Sequence, residues 1–148
     1  MPSTAGQEAL IAKTYARAGV DPACTDYVEC HGTGTAAGDP VEVEGLANFF
    51  GRARRKTKRD RAPIYVGSVK SNLGHSEATS GITGLIKTIL ALENEVMPPT
   101  IGIKELNPRI PWARHNVEVV QSPTAWPTSG RENQPLQASV RSSYAEGD

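Results

Sequence analysis

Two short apolar stretches, each running into a glycine-containing turn that carries a histidine, constrain this chain more than anything else in it. The longer is Pro63 to His75, PIYVGSVKSNLGH, nearly all apolar or small as far as Val69 and then broken by Lys70 and a turn ending at His75. Such a run reads as a strand buried on both faces, as in a sheet covered by helices. The shorter is Tyr27-Val28-Glu29-Cys30, a strand that delivers His31 into the glycine-rich turn HGTGT. Loops at strand ends commonly carry chemistry. His31 and His75 are therefore treated as two halves of one candidate site.

The segments around these stretches supply helices and further strands. From Thr4 to Gly19 the apolar positions Ala9, Leu10, Ala12, Ala16 and Ala18 mix with Gln7, Glu8, Lys13 and Arg17 in a helical pattern that Gly19 stops. Asp39 as N-cap, Pro40 at the first helical position and Glu42 as the far member of a capping box predict a helix from Pro40 to about Phe50. Ile82, Leu85, Ile86, Ile89 and Leu90 follow the spacing of one buried helical face, and Pro98-Pro99 ends that helix. Thr100 to Pro111 reads as an extended connection, and Asn116 to Gln121 as a strand with Val117 and Val119 on one face. Ser122 to Pro135 is loop, Leu136 to Val140 starts a last strand, and Arg141 to Asp148 is a polar tail without pattern. Strands alternating with helices over 148 residues predict one α/β domain, residues 1–148, with residues 141–148 irregular.

Charge and composition exclude several functions. The formal net charge is zero, which argues against electrostatic binding of nucleic acid or membrane by the chain as a whole. No apolar run approaches a membrane span and nothing resembles a signal peptide. Cys24 and Cys30 make no disulfide framework, so a reducing, cytoplasmic location is expected. One local patch departs from neutrality: Arg52, Arg54, Arg55, Lys56, Lys58, Arg59 and Arg61, without interleaved aromatics. It reads as a hydrated surface loop, with docking of an acidic partner such as a carrier protein as the alternative.

Three chemistries compete for HGTGT and fail. Gly32-Thr33-Gly34-Thr35-Ala36-Ala37 formally matches a dinucleotide fingerprint, but the helix signals begin only at Asp39-Pro40, and Lys70 stands where an acidic ribose ligand belongs. Cys24, Cys30, His31, His75 and His115 fit no paired metal-ligand spacing, so no metal is expected. Cys30 and His31, adjacent in an extended strand, point to opposite faces and cannot form a nucleophile pair; Cys30 is expected in the core. What remains is two imidazoles at two strand ends, able to donate N–H groups to one substrate oxygen as negative charge develops.

HGTGT, followed by GDPVEVEGL and then by GSVKSNLGHSEATSGITGLIKTILALE and MPPT, resembles the C-terminal part of a β-ketoacyl synthase. More narrowly it resembles the ketosynthase of a modular or fungal-type multidomain polyketide synthase, over about Gln7 to Trp126. The resemblance implies a thiolase-like α/β fold built from two pseudo-symmetric halves, usually in a homodimer, of which this chain matches the C-terminal half, incomplete at both ends. It implies decarboxylative Claisen condensation of acyl and malonyl thioesters, with no directly bound cofactor and with substrates carried on the phosphopantetheine of an acyl carrier protein. His31 and His75 are then the histidines that promote decarboxylation and stabilise the enolate, and Lys70 the lysine that orients the second histidine and the loops. Thr33 and Thr35 match the threonines that contact the pantetheine arm, and Gly32, Gly34, Asn72 and Gly74 shape the loops.

Two departures qualify that expectation. The family's nucleophilic cysteine sits in an N-terminal elbow such as TACSSS, which this sequence does not contain, and Cys24 lies in the wrong place to replace it. Where the family continues its last strand into a glycine-rich SFGFGG turn, Val140 is followed here by Arg141-Ser142-Ser143-Tyr144-Ala145. Without a nucleophile no covalent acyl intermediate forms, so the isolated chain is expected to be inactive: a fragment of a longer synthase, a truncated gene model or a decayed gene copy. Its partners are then the carrier protein and the missing N-terminal half. The alternative is a non-enzymatic remnant that acts by pairing with another synthase or a carrier protein. An open frame upstream of Met1 encoding the cysteine elbow would separate the two.

Overall fold

The computed structural model describes residues 3–57, 62–74, 79–128, 131 and 133–142. A four-stranded, fully parallel sheet stands in the order β4-β2-β1-β6, formed by β1 (Tyr27–Glu29), β2 (Ile64–Gly67), β4 (Val117–Val119) and β6 (Ala138–Val140). A two-stranded antiparallel ribbon pairs β3 (Val96–Met97) with β5 (Thr124–Ala125). The β5 strand lies inside the stretch expected to be loop.

Alternation along β1 divides the core in two. Val28 and Cys30 face helices α1 (Thr4–Ala18) and α2 (Gly38–Lys56), where Ile11, Tyr15, Leu46 and Phe50 complete one cluster. Tyr27 faces the other way, toward Met97, Val120 and Trp126, on the side where α4 (Ser80–Glu93) crosses β1 and β6. Fully burying a side chain such as Leu46 or Phe50 contributes about 1.5–3 kcal/mol, so this helix layer fixes β1 firmly. Cys30 is the buried core residue expected of it.

The helices depart from expectation in informative ways. Ser3 caps α1 by accepting the Gly6 N–H, and Gly19 ends it in the left-handed region at φ 65°. Its buried residues are Ile11 and Tyr15, while Leu10 is exposed, because the face turned inward runs through positions four apart. Helix α2 continues to Lys56, past the predicted Phe50. Four of the seven charges of the basic run, Arg52, Arg54, Arg55 and Lys56, are therefore helical, and Arg54 among them is buried. Its guanidinium donates to the carbonyls of Ala62, Pro63 and Thr25 and pairs with Asp26, so it is structural rather than a hydrated surface charge. Lys58, Arg59 and Arg61 lie outside the described residues.

Helix α4 ends at Glu93, before the prolines, in a turn where Glu95 takes φ 54°, and β3 intervenes. The face expected to be buried is open: Ile82, Leu85, Ile86, Ile89 and Leu90 are 45–62% exposed. The sheet instead receives the narrower side carrying Ser80, Gly84, Thr88 and Ala91. A Cβ on Gly84 would stand 3.1 Å from Glu29 Cγ and 3.4 Å from Val140 Cγ1, which is how α4 sits so close to the strands. In the tail, residues 141–142 carry no regular structure, and residues 143–148 lie outside the described ones.

Candidate functional site

Strands β1 and β2 are neighbours in parallel register, Glu29 opposite Gly67, so the loops that follow them leave the sheet side by side. The Cys30 N–H donates to Gly67 O at 2.8 Å and carries the pairing one residue further. Beyond that the chain turns from β1 toward α2 on one face and from β2 toward α4 on the other. Divergent connections at the carboxyl ends of parallel strands open a crevice, the usual place for a ligand in such sheets.

In the first loop Gly32 and Gly34 have positive φ, 50° and 75°. A Cβ at Gly32 would lie 2.7 Å from Ser68 Cβ, so the glycine also lets the two loops touch. Glu42 turns back from α2 and accepts the backbone N–H groups of His31 at 2.8 Å and Gly32 at 3.1 Å. This replaces the capping box expected of Asp39 and Glu42. The helix begins earlier, at Gly38, whose N–H is accepted by Thr35 Oγ1 at 3.0 Å. Arg141 lies 3.8 Å from the same Glu42 carboxylate. Burial and the charge of Glu42 push the Asp39 carboxyl above its usual range, against the opposing pull of the Gly34 and Thr35 N–H groups. Thr33 and Thr35 are exposed, with their hydroxyl oxygens 3.5 Å apart.

The second loop is not simply extended. Ser68 and Val69 leave β2, and Lys70–Leu73 form a single helical turn, α3, closed by Gly74 at φ 76° with its N–H on Lys70 O. Asn72 donates its N–H to Val69 O and accepts the Ser71 hydroxyl at 3.0 Å. Lys70 Nζ stands 3.5 Å from His31 Nδ1, so the structure brings these two predicted residues together across the crevice. His75 lies outside the described residues. An ammonium group only donates. In a hydrogen bond at this contact Nδ1 is therefore the acceptor, which puts the ring proton of a neutral His31 on Nε2.

Beneath these loops lies a buried network that sequence reasoning missed. Tyr27 Oη donates to Glu29 Oε2 at 2.6 Å, and Lys87 Nζ donates to both, at 2.9 Å to Tyr27 and 2.7 Å to Glu29. Glu29 Oε1 accepts the N–H of Val69, the residue before Lys70. Burial first, then the Glu29 charge, pushes the Tyr27 phenol up, so it stays a proton donor. Two clues stood in the sequence: a lone carboxylate inside YVEC, and a lone ammonium inside the apolar GLIKTIL. Buried charges need partners.

A cleft of about 970 Å³ opens over the loops, lined among others by Gly32, Thr33, Ser68, Lys70, Thr100 and Arg109. Cys30 also borders it, but burial and then the Glu42 charge push its thiol well up, so it offers no thiolate nucleophile. Among the described residues no group of three or more His, Cys, Asp or Glu is placed to hold a metal ion. The hydroxyls of Thr33, Ser68 and Thr100 and the cations Lys70, Lys104 and Arg109 line the cleft beside the carboxylates Asp39, Glu42 and Glu105 and apolar side chains such as Val66 and Trp112, a mixed lining suited to a ligand with both apolar and carbonyl or anionic parts.

Comparison with known proteins agrees with this geometry. Residues 1–104 match the family model for the β-ketoacyl synthase C-terminal domain. A highly reducing polyketide synthase of Neurospora crassa, srdA, is 52% identical over 127 residues, which is 86% of this chain and 5% of that protein. Highly reducing polyketide synthase 19 of Pyricularia oryzae is 51% identical over 133 residues, 90% of this chain and 5% of that one. Among solved structures, ketosynthase twelve of the bacillaene polyketide synthase of Bacillus amyloliquefaciens superposes with a TM-score of 0.82 at 30% identity, over 95% of this chain and 24% of that chain. The ketosynthase from module 6 of the bacillaene synthase of Bacillus subtilis 168 gives 0.81 at 33% identity, over 95% and 24%. The chain thus spans about one twentieth of its curated relatives and about a quarter of the solved ketosynthases. Its fold is that of the thiolase-like ketosynthases, and the chain belongs to the β-ketoacyl synthase C-terminal domain family.

Proposed function

We propose that this chain supplies the decarboxylation and enolate-stabilising side of a polyketide synthase ketosynthase. The observation that carries the reading is the 3.5 Å approach of Lys70 Nζ to His31 Nδ1 across two adjacent strand-end loops, which sets an ammonium group beside the imidazole. In the proposed reaction a malonyl thioester loses CO2, and the electron pair of the broken C–C bond becomes an enolate. His31, with His75 as the second donor, hydrogen-bonds the thioester oxygen as it takes up negative charge. The enolate carbon then attacks an acyl thioester on a cysteine from outside this segment, forming a C–C bond and releasing the cysteine thiolate. Thr33 and Thr35 would meet the phosphopantetheine arm of the carrier protein, while Gly32, Gly34, Asn72 and Gly74 set the loop backbones.

The partners in this reading are the carrier protein, the N-terminal half of the ketosynthase and a second ketosynthase copy, in the cytoplasm. Among the described residues no helix is long and apolar enough to cross a membrane. The exposed apolar face of α4 supports the need for a second half, since contiguous apolar surface of this kind normally marks an interface.

The test joins this chain to a ketosynthase N-terminal half that carries the cysteine. His31→Ala should lower malonyl decarboxylation by about 10²-fold or more, the usual effect of removing one oxyanion donor, while acyl loading of the cysteine persists. Unchanged decarboxylation would overturn the reading. The chain alone should take no acyl group, and stable covalent loading of it would count against the missing nucleophile.

A further inference from the structure

The basic run separates into charges that are spent inside the fold and charges that are not. Arg54 is locked to backbone carbonyls and Asp26, and Arg52 pairs with Glu8. Arg55 makes no ion pair among the described residues, and neither do Arg109 and Arg114. These three come from different elements: Arg55 from α2, Arg109 from the connection after β3, and Arg114 from α5 (Trp112–His115). They line one groove of about 650 Å³ on the flank of α2, in which Glu44 is the single carboxylate among the described lining residues. Among the described residues, a chain of zero net charge therefore concentrates an excess of positive charge on one concave surface.

The lining also says what kind of anion fits. Pro40, Pro111, Ala47 and Ile110 line the groove together with the arginines, and Asn48 and Asn116 add amide groups. Among the described lining residues there is no Phe, Tyr or Trp to stack a base. The three guanidinium groups come from three separate elements around one groove, so they can pair with several carboxylates of one peptide. We propose that this groove docks an acidic, partly apolar segment of a partner polypeptide. The proposal does not depend on the ketosynthase reading, because neither His31 nor Lys70 is among the described residues that line the groove.

The experiment uses the full chain and a fluorescein-labelled peptide alternating glutamate and leucine at helical spacing, followed by fluorescence anisotropy. Arg55→Glu with Arg114→Glu should weaken binding at least about ten-fold, as expected for close charge pairs at an interface, and binding should weaken with added salt. Lys13→Glu with Arg17→Glu, the same charge change on exposed positions of α1, should leave it unaltered. A single-stranded oligonucleotide and inorganic polyphosphate serve as competitors. The proposal fails if the two double variants weaken binding equally, if either competitor binds the groove as tightly as the peptide, or if the peptide does not bind at low salt. Circular dichroism checks folding, and Arg55→Gln with Arg114→Gln replaces the reversal if it unfolds; that neutral pair should weaken binding several-fold, and no change would equally sink the idea.

Discussion

Two residues of the first loop carry measurable consequences of their own. Gly32 combines a positive φ with a 2.7 Å approach to Ser68, so Gly32→Ala both strains the backbone and pushes the loops apart. A loss of about 1–3 kcal/mol is expected, read as a lowered Tm. Asp39 bears on pH. Burial and the Glu42 charge hold its carboxyl above the ordinary aspartate value, so the folded state binds that proton more tightly than the unfolded chain does. Its contribution to stability is full below the unfolded value and is lost as pH rises through the raised folded one. Asp39→Asn removes this titration, so the variant's Tm should gain on the wild type between about pH 3 and pH 7. A constant difference across that range would show that Asp39 titrates normally.

At the scale of elements, the Tyr27, Glu29 and Lys87 network ties β1 and α4 to the start of the second loop. Lys87→Met strands a buried carboxylate and should cost about 3–5 kcal/mol, measured by urea denaturation. Adding Glu29→Gln should restore part of it, since the amide oxygen still accepts the Val69 N–H; no recovery would mean that Lys87 acts through packing alone. Much at this scale was legible in the sequence. Periodicity and turn residues placed α1, α2, α4 and the sheet strands, and HGTGT and KSNLGH marked the two loops that meet. What escaped depended on distant partners. Glu42 fits a capping box locally, and only the fold shows it reaching back to His31 and Gly32. Arg54 looks like one charge in a run of seven until Asp26 and three carbonyls close around it. Apolar spacing located the α4 face but could not say what it meets.

For the whole molecule that face is decisive. Five large side chains of α4 stand 45–62% exposed in a chain spanning about a quarter of the ketosynthases it superposes on. Each would gain about 1 kcal/mol from covering the half still in water, enough together to drive association. The isolated chain should therefore dimerise or aggregate, while Leu85→Glu with Ile86→Glu should elute as a monomer in light-scattering chromatography. Because both positions already face solvent, the double change should alter stability by no more than about 0.5 kcal/mol per site. A wild-type chain that is monomeric with a sharp thermal transition would contradict this.

Arg109 and Ile110 line both the cleft above the loops and the groove on the flank of α2. One strip of backbone is thus a party wall between two chambers. Thermodynamic linkage runs both ways through such a wall: by whatever factor an occupant of the groove changes the affinity of the cleft for its own ligand, that ligand changes the affinity of the groove by the same factor.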